Sequence, residues 1–236
     1  MSTRLALFDL DGTLIDSEAG IFSSLRHAFA QINAQLPHES VLRTWIGPPF
    51  HQTFPSVLGD DVTRTEQAIA HYRDHYVEEG WAGHSVYADV AEAIAALQAA
   101  GCQLAVVTTK PLPQAGKIVA HLPFGKAFTR VYGPDLKTAH SAKAEMIAQA
   151  LLDFGIPAQQ AVMVGDRHFD IEGARANQVH AIGVRWGFGS VQELREAGAD
   201  AIAQSPAELP QLILRDALSA SATHPAALDR PATAAG

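Results

Sequence analysis

Cysteine is nearly missing from this 236-residue chain: Cys102 stands alone, so no internal disulfide can form, which fits a reducing compartment. No apolar run approaches the length of a membrane span. The first residues carry acids inside their apolar stretch and lack the basic-then-apolar plan of a secretory signal, so the expected location is the cytoplasm. Positive charge is also scarce. Against 25 Asp and Glu there are 17 Lys and Arg, giving a formal charge of −8 and a pI near 5.7. That balance argues against nucleic acid or a membrane surface as a main partner. An anionic substrate must then be drawn in by a local cation or a metal. No internal repeat is visible. What is present is 47% apolar residues with a mean hydropathy near zero, the profile of a soluble globular chain long enough for a sizeable core.

The chain is organised around Thr3 to Leu14, where an apolar run ends in Asp9-Leu10-Asp11-Gly12-Thr13-Leu14. Leu5 to Phe8 read as a strand buried on both faces, because such strands are continuously apolar rather than alternating. Ligands of open α/β sheets sit at the carboxyl ends of strands, where Asp9 falls. Two acids there are costly unless a cation neutralises them. Asp-Gly alone would mark only a turn.

From Asp16 or Ser17, apolar positions at Ile21, Phe22, Leu25, Ala28, Phe29 and Ile32 predict an amphipathic helix, which Pro37 breaks. Short helices are expected at Glu39–Ile46 and around Phe50 to Leu58, and a longer one through Ile69, Tyr72 and Tyr76. Residues 17–84 thus read as helical, with no strand. Helix and strand then alternate. Strands are expected at Gln103–Thr108, Thr129–Tyr132, Ala161–Val164, His180–Val184 and Ala201–Ala203. Helices fall between them, one starting at a Ser141 cap and the last spanning Ala207–Leu218. The fold expected is α/β: a doubly wound parallel sheet with helices on both faces, built from residues 1–16 and 85–218. The helical insert of 17–84 would emerge at the Asp9 end of the sheet as a small cap domain. Residues 219–236 are rich in Ala, Ser, Thr and Pro and read as a disordered tail.

Three later strand ends supply polar groups that could converge on Asp9. Thr108 offers a hydroxyl, with anion-binding amides after it; taken alone it is equally a helix cap. Lys143 lies in a first helical turn, where a cation is unfavourable unless an anion sits nearby; otherwise it is a surface lysine. Asp166 ends a strand, and Asp170 follows one turn later at a spacing that repels without a cation. Clustered carboxylates suit Mg²⁺, and a hydroxyl with an ammonium beside it suits a phosphoryl group. The chemistry indicated is phosphoryl transfer with an aspartate nucleophile.

The stretch Asp9 to Leu14, Thr108-Thr109-Lys110, Lys143, and Gly165-Asp166 with Asp170 resemble the four motifs of the haloacid dehalogenase superfamily, in order, over residues 4–215. Asp16-Ser17, Arg43 to Gly47, Val106 to Pro111 and Gly187-Phe188-Gly189 resemble its phosphoglycolate phosphatase-like enzymes. Ala144 departs from the proline that often follows the third-motif lysine there. The resemblance implies that Asp9 is the nucleophile and Asp11 the general acid and base, while Thr108, Thr109 and Lys143 hold the phosphoryl oxygens. It implies Mg²⁺ on the Asp9 carboxylate, the Asp11 carbonyl and Asp166, with Asp170 behind them or acting through water. Gly12 lets the chain turn so that Asp11 faces the leaving group. Arg43 is a candidate for a substrate carboxylate, although an arginine on a small helix is commonly a solvated charge. Trp45, Phe50 and Phe54 either line the pocket or form the insert's core, and His168 is a neighbour of the site.

The implied activity is hydrolysis of a small phosphate ester such as phosphoglycolate, by a monomer or homodimer. A pyrophosphatase, a nucleotidase or a sugar-phosphate mutase on the same scaffold is the alternative. A signalling receiver domain is half this length and takes its phosphoacceptor from a later strand. A binding protein on a degenerate scaffold would not keep every catalytic position filled. A dehalogenase would not need the acid at Asp11.

Overall fold

The computed structural model describes residues 4–135 and 142–214. In chain order these form β1 (Leu5–Phe8), β2 (Ile15–Asp16), α1 (Glu18–Gln31), α2 (Glu39–Thr44), α3 (Phe50–Thr53), α4 (Pro55–Leu58) and α5 (Val62–Glu78). Then come β3 (Ser85–Val86), α6 (Val90–Ala99), β4 (Gln103–Val107), α7 (Leu112–His121), β5 (Phe128–Tyr132) and α8 (Lys143–Phe154). They are followed by β6 (Ala161–Gly165), α9 (His168–Ala176), β7 (His180–Val184), α10 (Val191–Glu196) and β8 (Ala201–Ala203). A last helical stretch covers 209–214. The Ser141 cap and the 219–236 tail lie outside the described residues; the cap position of α8 is Ala142, whose side chain makes no capping bond.

Six parallel strands make one sheet in the order β5-β4-β1-β6-β7-β8. β1 lies between β4 and β6, with Leu5 opposite both Gln103 and Ala161, and all four of its residues are fully buried. The continuous apolar run follows from this placement. Ala6 and Phe8 face α6, α7 and Ile213, whereas Leu5 and Leu7 face α8 and α9. The chain is therefore an α/β doubly wound fold.

Helices α1 to α5 build a separate core from Phe22, Leu25, Phe29, Trp45, Phe54 and Ile69. Both connections to this helical unit run through one short antiparallel pair, β2 with β3, which joins Ile15 to Val86 and Asp16 to Ser85. Two residues are too few for an alternating pattern to register, so the sequence reading places no strand here. Helix α1 also stops six residues before Pro37, where Asn33 turns to a positive φ of 49°. The helix expected around Phe50 to Leu58 is two turns, because Pro55 brings no N–H and opens α4 as its first residue. Among the described residues no helix is long and apolar enough to cross a membrane.

Gly20 is where α1 presses on the turn that closes the helical unit. Its N–H donates to the Gly83 carbonyl at 2.8 Å, and a Cβ there would lie 2.0 Å from the Gly80 oxygen. Backbone cannot retreat as a flexible side chain can, so Gly20→Ala should lower stability by about 1–3 kcal/mol, read as a shifted urea midpoint. An unchanged midpoint would mean that this contact is loose.

Candidate active site

Parallel pairing sets the carboxyl ends of β1, β4 and β6 side by side, and each strand is followed by a polar residue: Asp9, Thr108 and Asp166. Asp9 is buried and its N–H donates to Val164 of β6 at 2.9 Å. Lys143, the first residue of α8, reaches into the same point. Its ammonium donates to Asp9 Oδ1 at 2.6 Å and to the Val107 carbonyl at 2.8 Å, and pairs with Asp170 Oδ1 at 2.7 Å. A cation at a helix N-terminus is unfavourable alone, and here two carboxylates offset that cost.

Asp166 is wholly buried; its Oδ2 accepts the Phe188 N–H at 2.7 Å, and its Oδ1 has no hydrogen-bond partner. Asp170 accepts the Arg167 N–H at 3.1 Å. Carboxylate oxygens of Asp9, Asp166 and Asp170 lie within 4.8 Å of one another. Burial pushes the Asp9 carboxyl up to about 7; Lys143 opposes the rise, and Asp170 and Asp11 add to it. Asp166 is raised well above the usual range by burial, then by Asp9 and Asp170. Burial alone would discharge Lys143, but Asp170 and Asp9 outweigh it and raise its pKa. One ammonium against three carboxylates leaves a negative excess, held on hard oxygens with one atom unpartnered. Those features fit Mg²⁺.

Asp11 is held by a different cation. Lys110 Nζ lies 2.9 Å from Asp11 Oδ2, donates to the Tyr76 hydroxyl of α5 at 2.8 Å and sits 4.5 Å over the Tyr76 ring. The two catalytic candidates thus have separate ammonium partners. Gly12 turns beside them at a φ of +85°, and a Cβ there would lie 2.2 Å from Asp166 Oδ2. Thr109 donates to the Gly47 carbonyl of the helical unit at 3.3 Å, while the buried Thr108 hydroxyl accepts the Lys110 N–H at 3.2 Å.

The structure therefore gathers Asp9, Asp11, Lys143, Asp166 and Asp170, with Gly12 and Thr109 beside them. Arg43 is not brought in. Its side chain is 63% exposed and makes a two-pronged pair with Glu18 at 2.6 and 3.0 Å. His168 bonds Glu193 at 2.8 Å instead of joining the carboxylates. Phe54 is wholly buried in the insert's core, whereas Phe50 and Trp45 also border a cavity beside Asp11. Sequence reasoning gave no role to Lys110 or to Arg167, which donates to the Ile46 carbonyl and to Glu193. Lys110 carried a usable signal, since it precedes the first turn of α7 as Lys143 opens α8.

A model of the haloacid dehalogenase-like hydrolases matches residues 6–184. The tyrosine-protein kinase PtkA of Mycobacterium tuberculosis is 38% identical over 189 residues, 80% of this chain and 64% of that protein. This chain thus spans less than two thirds of the length of the kinase relatives it matches. A 5'-nucleotidase of Pseudomonas aeruginosa is 39% identical over 189 residues, 80% of this chain and 86% of that enzyme. The crystal structure of a predicted phosphatase from Clostridium acetobutylicum superposes with a TM-score of 0.83 at 34% identity, covering 91% of this chain and all of that one.

The Asp9 shift makes the metal-free protein sensitive to pH in a definite direction. A carboxyl that holds its proton more tightly when folded stabilises the fold fully below its ordinary value of 3.8, and that contribution is lost as pH rises through about 7. In chelator, the parent should therefore lose stability relative to Asp9→Asn as pH rises from about 4 to about 7. Added Mg²⁺ should stabilise the parent more at the upper end, because the ion and the proton compete for one carboxylate. Denaturation midpoints measure both effects. A flat or opposite difference would refute the protonation argument.

Proposed function

The chain belongs to the haloacid dehalogenase-like hydrolases, and on that premise we propose that it is a Mg²⁺-dependent phosphatase that cleaves a small phosphomonoester through an aspartyl-phosphate intermediate. The observation that carries the reading is the pairing of two acids at one strand end with two different ammoniums. Asp9 is held by Lys143 and Asp11 by Lys110.

An Asp9 carboxylate oxygen attacks phosphorus, forming the acyl phosphate as the bond to the leaving oxygen breaks. Asp11, two residues on, gives that oxygen its proton and then takes one from the water that hydrolyses the intermediate. Lys143 neutralises charge on the transferred group, and the Thr109 hydroxyl and nearby amides supply donors to its oxygens. Asp9, Asp166 and the Asp11 carbonyl would hold Mg²⁺, with Asp170 behind them. Bound there, the ion supplies positive charge between the Asp9 carboxylate and the phosphate. The helical unit acts as a cap that excludes bulk water, supported by the contacts of Gly47 with Thr109 and of Ile46 with Arg167. Membership alone leaves the organic group open, because the relatives' names differ in what they act on. A phosphoglycolate preference mediated by Arg43 loses its support, since that guanidinium is already paired outside the site.

Asp9→Asn should cut phosphate release by at least about a thousandfold while the fold persists, because an amide cannot form the acyl phosphate. Residual activity within about tenfold of the parent would sink the mechanism. Separately, chelation after dialysis should abolish release and Mg²⁺ should restore it; full activity in excess chelator would remove the ion from the scheme.

A further inference from the structure

Arg167 follows Asp166 directly and lies between two glycines of different units. On one side is Gly47 of the insert, where a Cβ would lie 3.3 Å from Arg167 Nη1 and 3.5 Å from its Cγ. On the other is Gly189, in the loop from β7 to α10, where a Cβ would lie 3.2 Å from Arg167 Cδ. The guanidinium bridges the same gap. Its Nη1 donates to the Ile46 carbonyl of the insert, and its Nε donates to Glu193 of α10 at 2.9 Å. Ile46 and Gly47 border both the space of about 10 Å³ at Asp9 and Lys143 and the larger cavity beside Asp11. Whatever fixes Arg167 therefore also fixes a wall of the site.

Glu193 departs from what its place in α10 would suggest. Ser190-Val191-Gln192-Glu193 has the spacing of a capping box, in which the glutamate returns to the N–H of the cap residue. The serine half forms, with Ser190 Oγ accepting the Glu193 N–H at 3.0 Å, but the carboxylate turns to the start of α9. There its Oε1 accepts from Arg167 Nε and from the His168 N–H at 3.0 Å, and lies 2.8 Å from His168 Nδ1. Burial alone would raise the Glu193 carboxyl, yet these donors outweigh it and draw it down to about 2. The Arg167 and Glu193 side chains are only 13% and 24% exposed, so water screens them less than it screens a surface pair. Gripping Nε of a planar guanidinium sets where Nη1 points, which a lysine ammonium cannot copy.

Resting on the phosphatase reading, we propose that Glu193 is a positioning residue of the reaction: through Arg167 it holds the Ile46 and Gly47 backbone over the carboxylates. The closed insert is then populated before substrate arrives, and substrate binds without first having to close it. A contact present both before and during the reaction contributes to binding and leaves the chemical step alone. Phe188, in the loop that leads into α10, belongs to the same device. It packs against the insert's core while its N–H donates to Asp166 Oδ2.

The test compares Arg167→Ala, Arg167→Lys, Glu193→Leu and the double variant of Arg167→Ala with Glu193→Leu, each first shown to be folded by its urea midpoint. On phenyl phosphate, glycerol 3-phosphate and uridine 5'-monophosphate with Mg²⁺, each should raise KM about tenfold while kcat stays within about threefold. The double variant should be no worse than Arg167→Ala, because the two residues act in series. Glu193→Gln, which keeps the acceptor oxygen, should recover part of the KM lost in Glu193→Leu. Amide hydrogen exchange, followed without substrate, should quicken at least about threefold in residues 42–50 of the variants and stay unchanged in β1 and β6. Arg167→Ala spares the contacts between Glu193 and His168, so it carries the test if Glu193→Leu does not fold. KM unmoved in Arg167→Ala, a fall in kcat in place of a rise in KM, additive losses in the double variant, or unchanged exchange in 42–50 would each overturn the proposal. If the parent hydrolyses none of these esters, the phosphatase reading fails by itself, and the exchange measurement alone decides whether Glu193 holds the insert.

Discussion

Carboxylates gathered out of water repel one another, and this repulsion is the constraint around which the active end of the molecule is arranged. Asp9, Asp166 and Asp170 bring oxygens within 4.8 Å of one another, and among the described residues Lys143 is the ammonium that pairs with them. Such a cluster persists only where the backbone leaves it no retreat. Asp9 is fixed by β1, wedged between two strands; Asp166 is fixed by the end of β6; Asp170 is fixed by the first turn of α9. β1 is also where the winding of the sheet reverses, since β4 and β5 lie on one side of it and β6 to β8 on the other. Crossovers diverge there and leave a crevice at the strand ends, the position at which open α/β sheets take their ligands.

The parts of this arrangement legible in the sequence share one property, that local pattern and global position agree. Leu5 to Phe8 is apolar without interruption because both faces of the sheet cover it, and acids directly after such a strand mark a site. Lys143 and Asp170 stood out because each was uncomfortable where it lay, a cation opening a helix and an acid one turn from another acid. What escaped notice was decided by contacts across the fold. The pairing of β2 with β3 joins residues seventy positions apart in segments of two, with no periodicity to reveal it. Arg43 offered a charge on a short helix, and only the packing of α2 near the start of α1 turns it toward Glu18. Lys110 sat inside a recognised motif, yet its partners come from β1's turn and from α5 of the insert.

Dividing two lysines between two aspartates has a chemical consequence. In the mechanism proposed above, the nucleophile must be ionised and close to an anion, whereas the acid must give up a proton and take one back. Asp9 is buried with Lys143 among other carboxylates, and its proton affinity is high until more positive charge arrives. Asp11 lies at the edge of the larger cavity, paired with a lysine whose second partner is a neutral hydroxyl. Environments this different push two like groups toward different roles, as acid and base pairs on other scaffolds do.

That second partner ties the helical unit to the chemistry. Lys110 belongs to the core and Tyr76 to the insert, so one ammonium is shared between a core carboxylate and an insert hydroxyl. Thr109 and Arg167 likewise reach from the core to the Gly47 and Ile46 carbonyls of the insert. All these contacts lie at the site, while the covalent links to the insert run through the β2–β3 pair. Swinging the insert about that pair would break every one of them together and admit water to Asp11. It would also leave Lys110 with the carboxylate alone. On the proposed reading, closure therefore does more than cover the substrate. One ammonium thereby bridges the two units beside Asp11, so the position of the insert and the surroundings of that carboxylate belong to one equilibrium.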